Sequence, residues 1–131
     1  MADFQKAFNI VIGHEGGYQR HPSDTGNYNS IGQLVGTNYG ISAKVYESWI
    51  NRPPSQSDME NLPLQDAIQI YFSLFWSRMQ GNSIHNQPIA NILFDGVVNH
   101  GNSKGIQLMQ EVLNVTVDGR MGPVTMGAIN G

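Results

Sequence analysis

The sequence predicts a mainly α-helical chain with one small β-hairpin or irregular insert after its first helix. Three observations carry this. Apolar residues recur at helical spacing in several separate stretches. Capping and breaking residues (Ser, Asn, Gly, Pro) fall between those stretches. The one long segment without a period, from Tyr18 to Tyr39, comes directly after the first helix.

Asp3 is a candidate N-cap, and Phe4, Ala7, Phe8, Ile10, Val11 and Ile12 then recur on helical spacing. A helix is expected over 3–15, ended by Gly16 and Gly17, because glycine enters a left-handed cap at little cost. Gly26, Asn27, Asn29, Gly32, Gly36 and Asn38 mark turns, with short strands expected at 30–34 and 37–41. Ser42 caps a second helix with Val45, Trp49 and Ile50 inward, and Pro53-Pro54 breaks it. Ser57 to Glu60 has capping-box spacing.

From Leu64 the pattern Ala67, Ile68, Tyr71, Phe72, Phe75, Trp76 is apolar nearly all round, so this should be the most buried helix. Gly81-Asn82-Ser83 ends it. Pro88 opens the next, with Ile89, Ile92, Leu93, Val97 and Val98 inward as far as His100. Ser103 recaps, and Ile106, Leu108, Met109, Val112 and Leu113 form a further inward face. Asp118-Gly119 tips a turn, and Gly122-Pro123 opens a last helix to Ile129.

Composition narrows the function classes. A chain of 131 residues suits one domain, or one with a short appended lobe. With no cysteine there is no disulfide, thiol nucleophile or zinc-thiolate site. Net charge is -3 and only 13 % of residues are charged, without the basic stripe of a nucleic-acid binder. The polar surface must come from Asn, Gln and Ser, which suits a neutral, hydroxyl-rich ligand. No apolar run approaches the roughly 20 residues of a membrane span. The opening Met-Ala-Asp-Phe-Gln-Lys lacks the basic flank and apolar stretch of a signal peptide. Synthesis in the cytoplasm is therefore expected, with dedicated export if the target lies outside it.

The chemistry centres on Glu15. At the C-terminal end of a helix the macrodipole disfavours a negative charge by about 0.3–1 kcal/mol, and apolar neighbours add to that. A carboxylic acid that keeps its proton near neutral pH is what protonation of a leaving glycosidic oxygen requires. Gly16 and Gly17 allow backbone and substrate to approach closely. Asp24, nine positions on, supplies a second carboxylate, as general base or electrostatic partner; an Asx-turn before Gly26 is its alternative role. His14-Glu15 lacks the second His of a zincin helix, since Tyr18 stands three places after the Glu. His21 and His100 have no spacing that demands a metal, and neither metal nor cofactor is expected. Gly-x-Ser-x-Gly and Walker motifs are absent. Trp49 and Trp76 read as core, whereas Tyr18 and Tyr39 lie in the loop and suit a cleft wall.

Glu15-Gly16-Gly17-Tyr18, Pro22-Ser23-Asp24-Thr25-Gly26 and Thr37-Asn38-Tyr39-Gly40-Ile41-Ser42 resemble the signature of glycoside hydrolase family 108. That family comprises lysozyme-like N-acetylmuramidases found as phage endolysins and secretion activator proteins. In the second half, Asp95-Gly96-Val97-Val98-Asn99-His100-Gly101, the stretch from Gln107 to Gln110, and Asp118 to Thr125 resemble its C-terminal, peptidoglycan-binding region. The segment 27–35 is longer than the family's compact Gly-Gly-Ala link.

The resemblance implies a lysozyme-like helical fold, with a catalytic lobe at 1–82 and a helical C-terminal lobe at 83–131 packed as one unit. It implies Glu15 as catalytic acid, Asp24 as its partner, and Thr37 as a third catalytic position on the hairpin beyond them, with Tyr39 as its competitor. Tyr18, Asn38, Tyr39 and Asn99 become substrate-binding candidates. The implied reaction, by a monomer without cofactor, is hydrolysis of the β-1,4 bond between N-acetylmuramic acid and N-acetylglucosamine in bacterial peptidoglycan, on the periplasmic or extracellular side. Two alternatives stand beside it: a non-catalytic peptidoglycan-binding module of a secretion or phage assembly, and a metal-dependent amidase or peptidase using His14, His21 and His100.

Overall fold

A computed structural model describes residues 1–15 and 17–131, the side chains of His14 and Glu15 excepted. Among the described residues there are seven α-helices: α1 (Phe4–Glu15), α2 (Ala43–Ile50), α3 (Gln56–Glu60), α4 (Leu64–Tyr71), α5 (Gln87–His100), α6 (Asn102–Leu113) and α7 (Pro123–Asn130). The architecture is the mainly helical, lysozyme-like one expected. The strands expected at 30–34 and 37–41 do not extend. They reduce to isolated antiparallel bridges, Gln19 to Thr37, Tyr28 to Leu34 and Asn38 to Ile41. Side chains and turns take up the remaining backbone groups there, so the insert is irregular.

The chain groups into two compact units, Ile12–Ile70 and Met1–Val11 with Tyr71–Gly131. Residues 71–82 therefore pack with the C-terminal helices. That second unit is built on an aromatic cluster. The ring of Phe4 lies 5.2 Å from Phe72, 5.7 Å from Trp76 and 5.8 Å from Phe94, each near edge-on, and Trp76 lies 5.6 Å from Phe94. Edge-to-face pairing sets the positive rim of one ring against the negative face of another. After α4 the helix widens into a π-turn over Phe72–Trp76, closed by Ser77 N–H donating to Phe72 C=O at 2.8 Å. Tyr71 and Trp76 are five residues apart, too many for one face of an α-helix, and the wider turn brings both inward.

The apolar pattern of this segment overstates its burial, because Leu64 and Phe72 remain exposed. α5 and α6 meet at backbone range, since a Cβ on Gly105 would lie 2.7 Å from Val97 N and Cα. Ile92 and Val112, expected inward, are 66 % and 82 % exposed, while Ala90 and Phe94 fill the interior.

A buried glutamine organises the C-terminal turn. The two N–H groups of Gln110 Nε2 are shared among Asp118 Oδ1 at 2.9 Å, Arg120 C=O at 3.0 Å and Thr125 Oγ1 at 3.0 Å. Its Oε1 accepts the backbone N–H groups of Asp118 and Gly119, both at 3.0 Å. The Gln110 amide, first among its partners, holds the Asp118 carboxyl below its usual range. Gln110→Ala removes this whole set of bonds at once and leaves the buried Thr125 hydroxyl without its donor. It should cost about 1–3 kcal/mol or more, read as a lowered midpoint in thermal unfolding.

In the Ile12–Ile70 unit, Val35, Ile41, Ala43, Tyr46, Met59, Leu62, Ala67 and Ile70 are buried. Ser42 caps α2, its Oγ accepting from Val45 N–H at 3.1 Å, and Asn51 ends the helix at φ 59°. The buried face of α2 is Ala43 and Tyr46, whereas Val45, Trp49 and Ile50 are only half-buried. Tyr46 reaches inward because its hydroxyl donates to Asp66 Oδ2 at 3.0 Å. Burial, then that bond, push the Tyr46 hydroxyl up to about 12. The capping box of α3 pairs Ser55 with Asp58, two residues ahead of the expected Ser57 start. Arg52 also pairs with Asp58, at 2.8 Å. No described helix is long and apolar enough to cross a membrane.

Candidate active site

α1 delivers Glu15 as its last residue. The side chains of His14 and Glu15, and Gly16 altogether, lie outside the described residues. From Gly17 the chain continues as a loop held by side-chain amides. Gln19 and Thr37 exchange two backbone hydrogen bonds, both 2.9 Å. This sets Thr37 beside the stretch that carries Asp24.

Asp24 is exposed and caps a short 3₁₀ turn, Thr25–Asn27. Its Oδ1 accepts from Gly26 N–H at 2.9 Å, which is the Asx-turn role, and its Oδ2 accepts from Gln19 Nε2 at 3.0 Å. A carboxylate offers about four lone-pair sites, so two bonds leave acceptor capacity for a water molecule. The capping role therefore does not exhaust the carboxylate.

Asn27 is the node of the loop and is fully buried. Its Nδ2 donates to Gln19 Oε1 at 2.8 Å and to His21 C=O at 3.0 Å. Its Oδ1 accepts from Thr37 Oγ1 at 2.6 Å and from Gln19 Nε2 at 3.2 Å. Its backbone C=O takes the N–H groups of Val35 and Gly36 at 2.8 and 2.9 Å. The orientation of both amides is dictated by backbone groups of fixed polarity. The carbonyl of His21 only accepts, so Nδ2 of Asn27 must face it. The N–H of His21 only donates, to Gln19 Oε1 at 3.0 Å, so Nε2 of Gln19 must face Asp24. Thr37 then gives its proton to Asn27, leaving its oxygen lone pairs as acceptors. Asp24 and Thr37 are thus joined through Gln19 and Asn27, two residues with no catalytic signature in the sequence. Only their place beside the candidates, in a loop of low charge, pointed to them.

Asn27→Asp is nearly isosteric but sets an oxygen against the His21 carbonyl and Gln19 Oε1. It should destabilise by about 1–3 kcal/mol. If the network serves catalysis, turnover falls by at least roughly tenfold, as displacing a positioned group does. Thermal unfolding and cleavage assays on one preparation check this, and unchanged turnover in a folded variant removes the network from the mechanism.

The other candidates frame the loop. Tyr18 donates its hydroxyl to Val35 C=O at 2.7 Å. Its ring packs on Gly36, at φ 103°, where a Cβ would lie 2.5 Å from the ring. Burial first, then the charge of Glu60, push the Tyr18 hydroxyl up, with Arg20 acting in the opposite direction. Asn38 is buried; its Nδ2 donates to Met59 C=O at 2.9 Å and Glu60 C=O at 3.1 Å, and its Oδ1 accepts from Tyr39 N–H at 2.9 Å. Asn38 and Ile41 close a two-residue hairpin whose central residues, Tyr39 and Gly40, sit at φ 52° and 73°, the positive values a type I′ turn demands. Tyr39 is half-buried in a backbone region that non-glycine residues seldom occupy, a strain that clusters at functional sites. Asn99 is exposed on α5, in the other compact unit, and takes no part in this network.

The family model for Glycosyl hydrolase 108 matches residues 8–101. Among solved structures, the chain is similar to that of Brucella abortus SagA. The TM-score is 0.79 and the identity 28 %, covering 96 % of this chain and 67 % of that one. No curated protein matches the chain.

Proposed function

The chain belongs to the glycosyl hydrolase 108 family, and on that premise we propose that it is a lysozyme-type N-acetylmuramidase. It hydrolyses the β-1,4 bond between N-acetylmuramic acid and N-acetylglucosamine. The observation that carries this reading is the amide network joining Asp24 to Thr37 on the loop beyond Glu15.

Glu15 protonates the leaving glycosidic oxygen as the bond breaks. Asp24, exposed and with acceptor capacity left, takes the proton of the attacking water or stabilises the charge that develops on the sugar. Thr37, its own proton given to Asn27, accepts a hydrogen bond from that water and narrows its orientation. Tyr39, held by the tight hairpin, contacts substrate, while Tyr18 and Asn38 brace the turn that presents it. Peptidoglycan is the partner, met on the far side of the cytoplasmic membrane.

Incubation with purified sacculi tests the reading against a binder without turnover. Soluble muropeptides should accumulate with time and enzyme. Sedimentation of the protein with sacculi that release no fragments contradicts it.

A further inference from the structure

A groove in the Ile12–Ile70 unit lies apart from Asp24. It has a volume of about 520 Å³ and opens between residues 28–30 and one face of α2, closed at its end by Arg52 and Pro53. Lys44, Glu47, Ser48 and Asn51 succeed one another at helical spacing along that face. Its volume lies within the usual range for small-ligand sites, about 300–1,000 Å³.

The groove is preformed. Asn29 at its base is buried, its Nδ2 donating to Gln33 Oε1 at 3.0 Å and Pro54 C=O at 2.9 Å. Ser30 N–H donates to Glu47 Oε1 at 2.9 Å, tying loop to helix. Tyr28 forms one wall, its hydroxyl donating to Pro22 C=O at 2.9 Å. Tyr28 also comes directly after the turn capped by Asp24, so the groove and the candidate active site share one loop.

Its charges are specific. Lys44 is exposed and has no acceptor among the described residues. Arg52 engages Asp58 through Nη1 alone, leaving most of its N–H donors available. Glu47 retains one oxygen beyond its bond to Ser30. Two open cations favour a carboxylate, in the geometry of charge-assisted hydrogen bonds. Glu47 between them opposes a dianion such as phosphate but accepts an amide or ammonium N–H. Tyr28 and Pro53 give apolar contact. Carboxylate, N–H donors and short apolar side chains together describe a peptide, not a sugar.

We propose that this groove is a second recognition site, for the carboxylate-bearing peptide that branches from N-acetylmuramic acid in peptidoglycan. It deepens the muramidase reading and rests on it for the identity of the substrate. The peptide, held beside the loop of Asp24, would register the glycan strand so that peptide-substituted sugars are preferred.

The test uses the full chain with the tetrapeptide L-Ala-γ-D-Glu-meso-diaminopimelate-D-Ala, titrated by NMR. Saturable shifts are expected at Tyr28, Lys44 and Arg52. Lys44→Gln with Arg52→Gln should weaken binding at least about tenfold, the loss expected for charge-assisted hydrogen bonds. Lys44→Gln alone, which leaves the Arg52–Asp58 pair intact, serves if the double variant unfolds. In a second arm, the variant should raise KM on peptide-bearing sacculi and leave cleavage of peptide-stripped glycan unchanged. The titration needs no turnover, so an inactive but peptide-binding chain overturns the muramidase reading and spares the groove. No saturation by the unaltered chain, equal binding by the variant, equal slowing on both glycans, or tighter binding of inorganic phosphate overturns the proposal.

Discussion

Glu15→Gln should cut peptidoglycan cleavage by roughly 10²–10⁴-fold, the usual contribution of a general acid, while leaving the fold intact. Glutamine matches glutamate in size and occupies the last position of a helix about as well. It cannot deliver a proton to a glycosidic oxygen. The helix end also disfavours negative charge by about 0.3–1 kcal/mol, so the amide relieves a small repulsion and thermal stability should hold or rise slightly. The loop from Gly17 to Ser42 stays in place, because the bonds that shape it run among Gln19, Asn27, Asn29, Thr37 and Asn38. Paired measurement of unfolding temperature and muropeptide release separates chemistry from folding. A folded variant that still releases muropeptides at the original rate takes Glu15 out of the acid role.

The largest expected loss of stability is at Trp76. This side chain is fully buried, with Phe4 at 5.7 Å and Phe94 at 5.6 Å, and its Nε1 donates to Asn82 Oδ1 at 2.9 Å. Gly81 lies against the indole so closely that any Cβ there would collide with the ring. The surroundings are ring on ring, and a cluster of rigid groups collapses poorly into a void. Trp76→Ala should therefore cost about 3–5 kcal/mol, a large part of the 5–15 kcal/mol typical of a whole domain. The melting midpoint should fall by roughly 10 °C or more for a chain of this length. Calorimetry reads this directly, and a loss under about 1 kcal/mol would show that Trp76 is not a keystone of the cluster.

The helices were legible because their signals are local and redundant. Ser42 and Pro88 mark starts by their own backbone preferences, and the period of α1 is unbroken from Phe4 to Ile12. Burial was less legible. Ile92 and Val112 have the right spacing yet stay exposed, at 66 % and 82 %. Ser57 and Ser55 are both good caps by type, and the box forms at Ser55, where Arg52 also reaches Asp58. Gln110 has no apolar character to announce that it is buried; four contacts with the 118–120 turn and one with Thr125 on α7 account for it.

The candidate site divides in the same way. Asp24 stands out by residue type and spacing and Thr37 through the family resemblance, whereas the tight turn at Tyr39-Gly40 falls inside a stretch expected as strand. Gln19 and Asn27, which join Asp24 to Thr37, carry no period and no motif, and their importance lies in bonds across the loop. The longer segment 27–35 folds back on itself through the bridge from Tyr28 to Leu34 and the anchor of Asn29 on Pro54. It therefore lengthens the loop without moving Thr37 away from Gln19.

The central claim is that this chain cleaves a glycosidic bond and not an amide. Sacculi digested to completion, reduced with borohydride and resolved by mass spectrometry test it most directly. The account predicts new reducible ends on N-acetylmuramic acid, appearing in step with soluble fragments and without new free amines. New amines without new reducing ends would contradict it, as would reducing ends on N-acetylglucosamine.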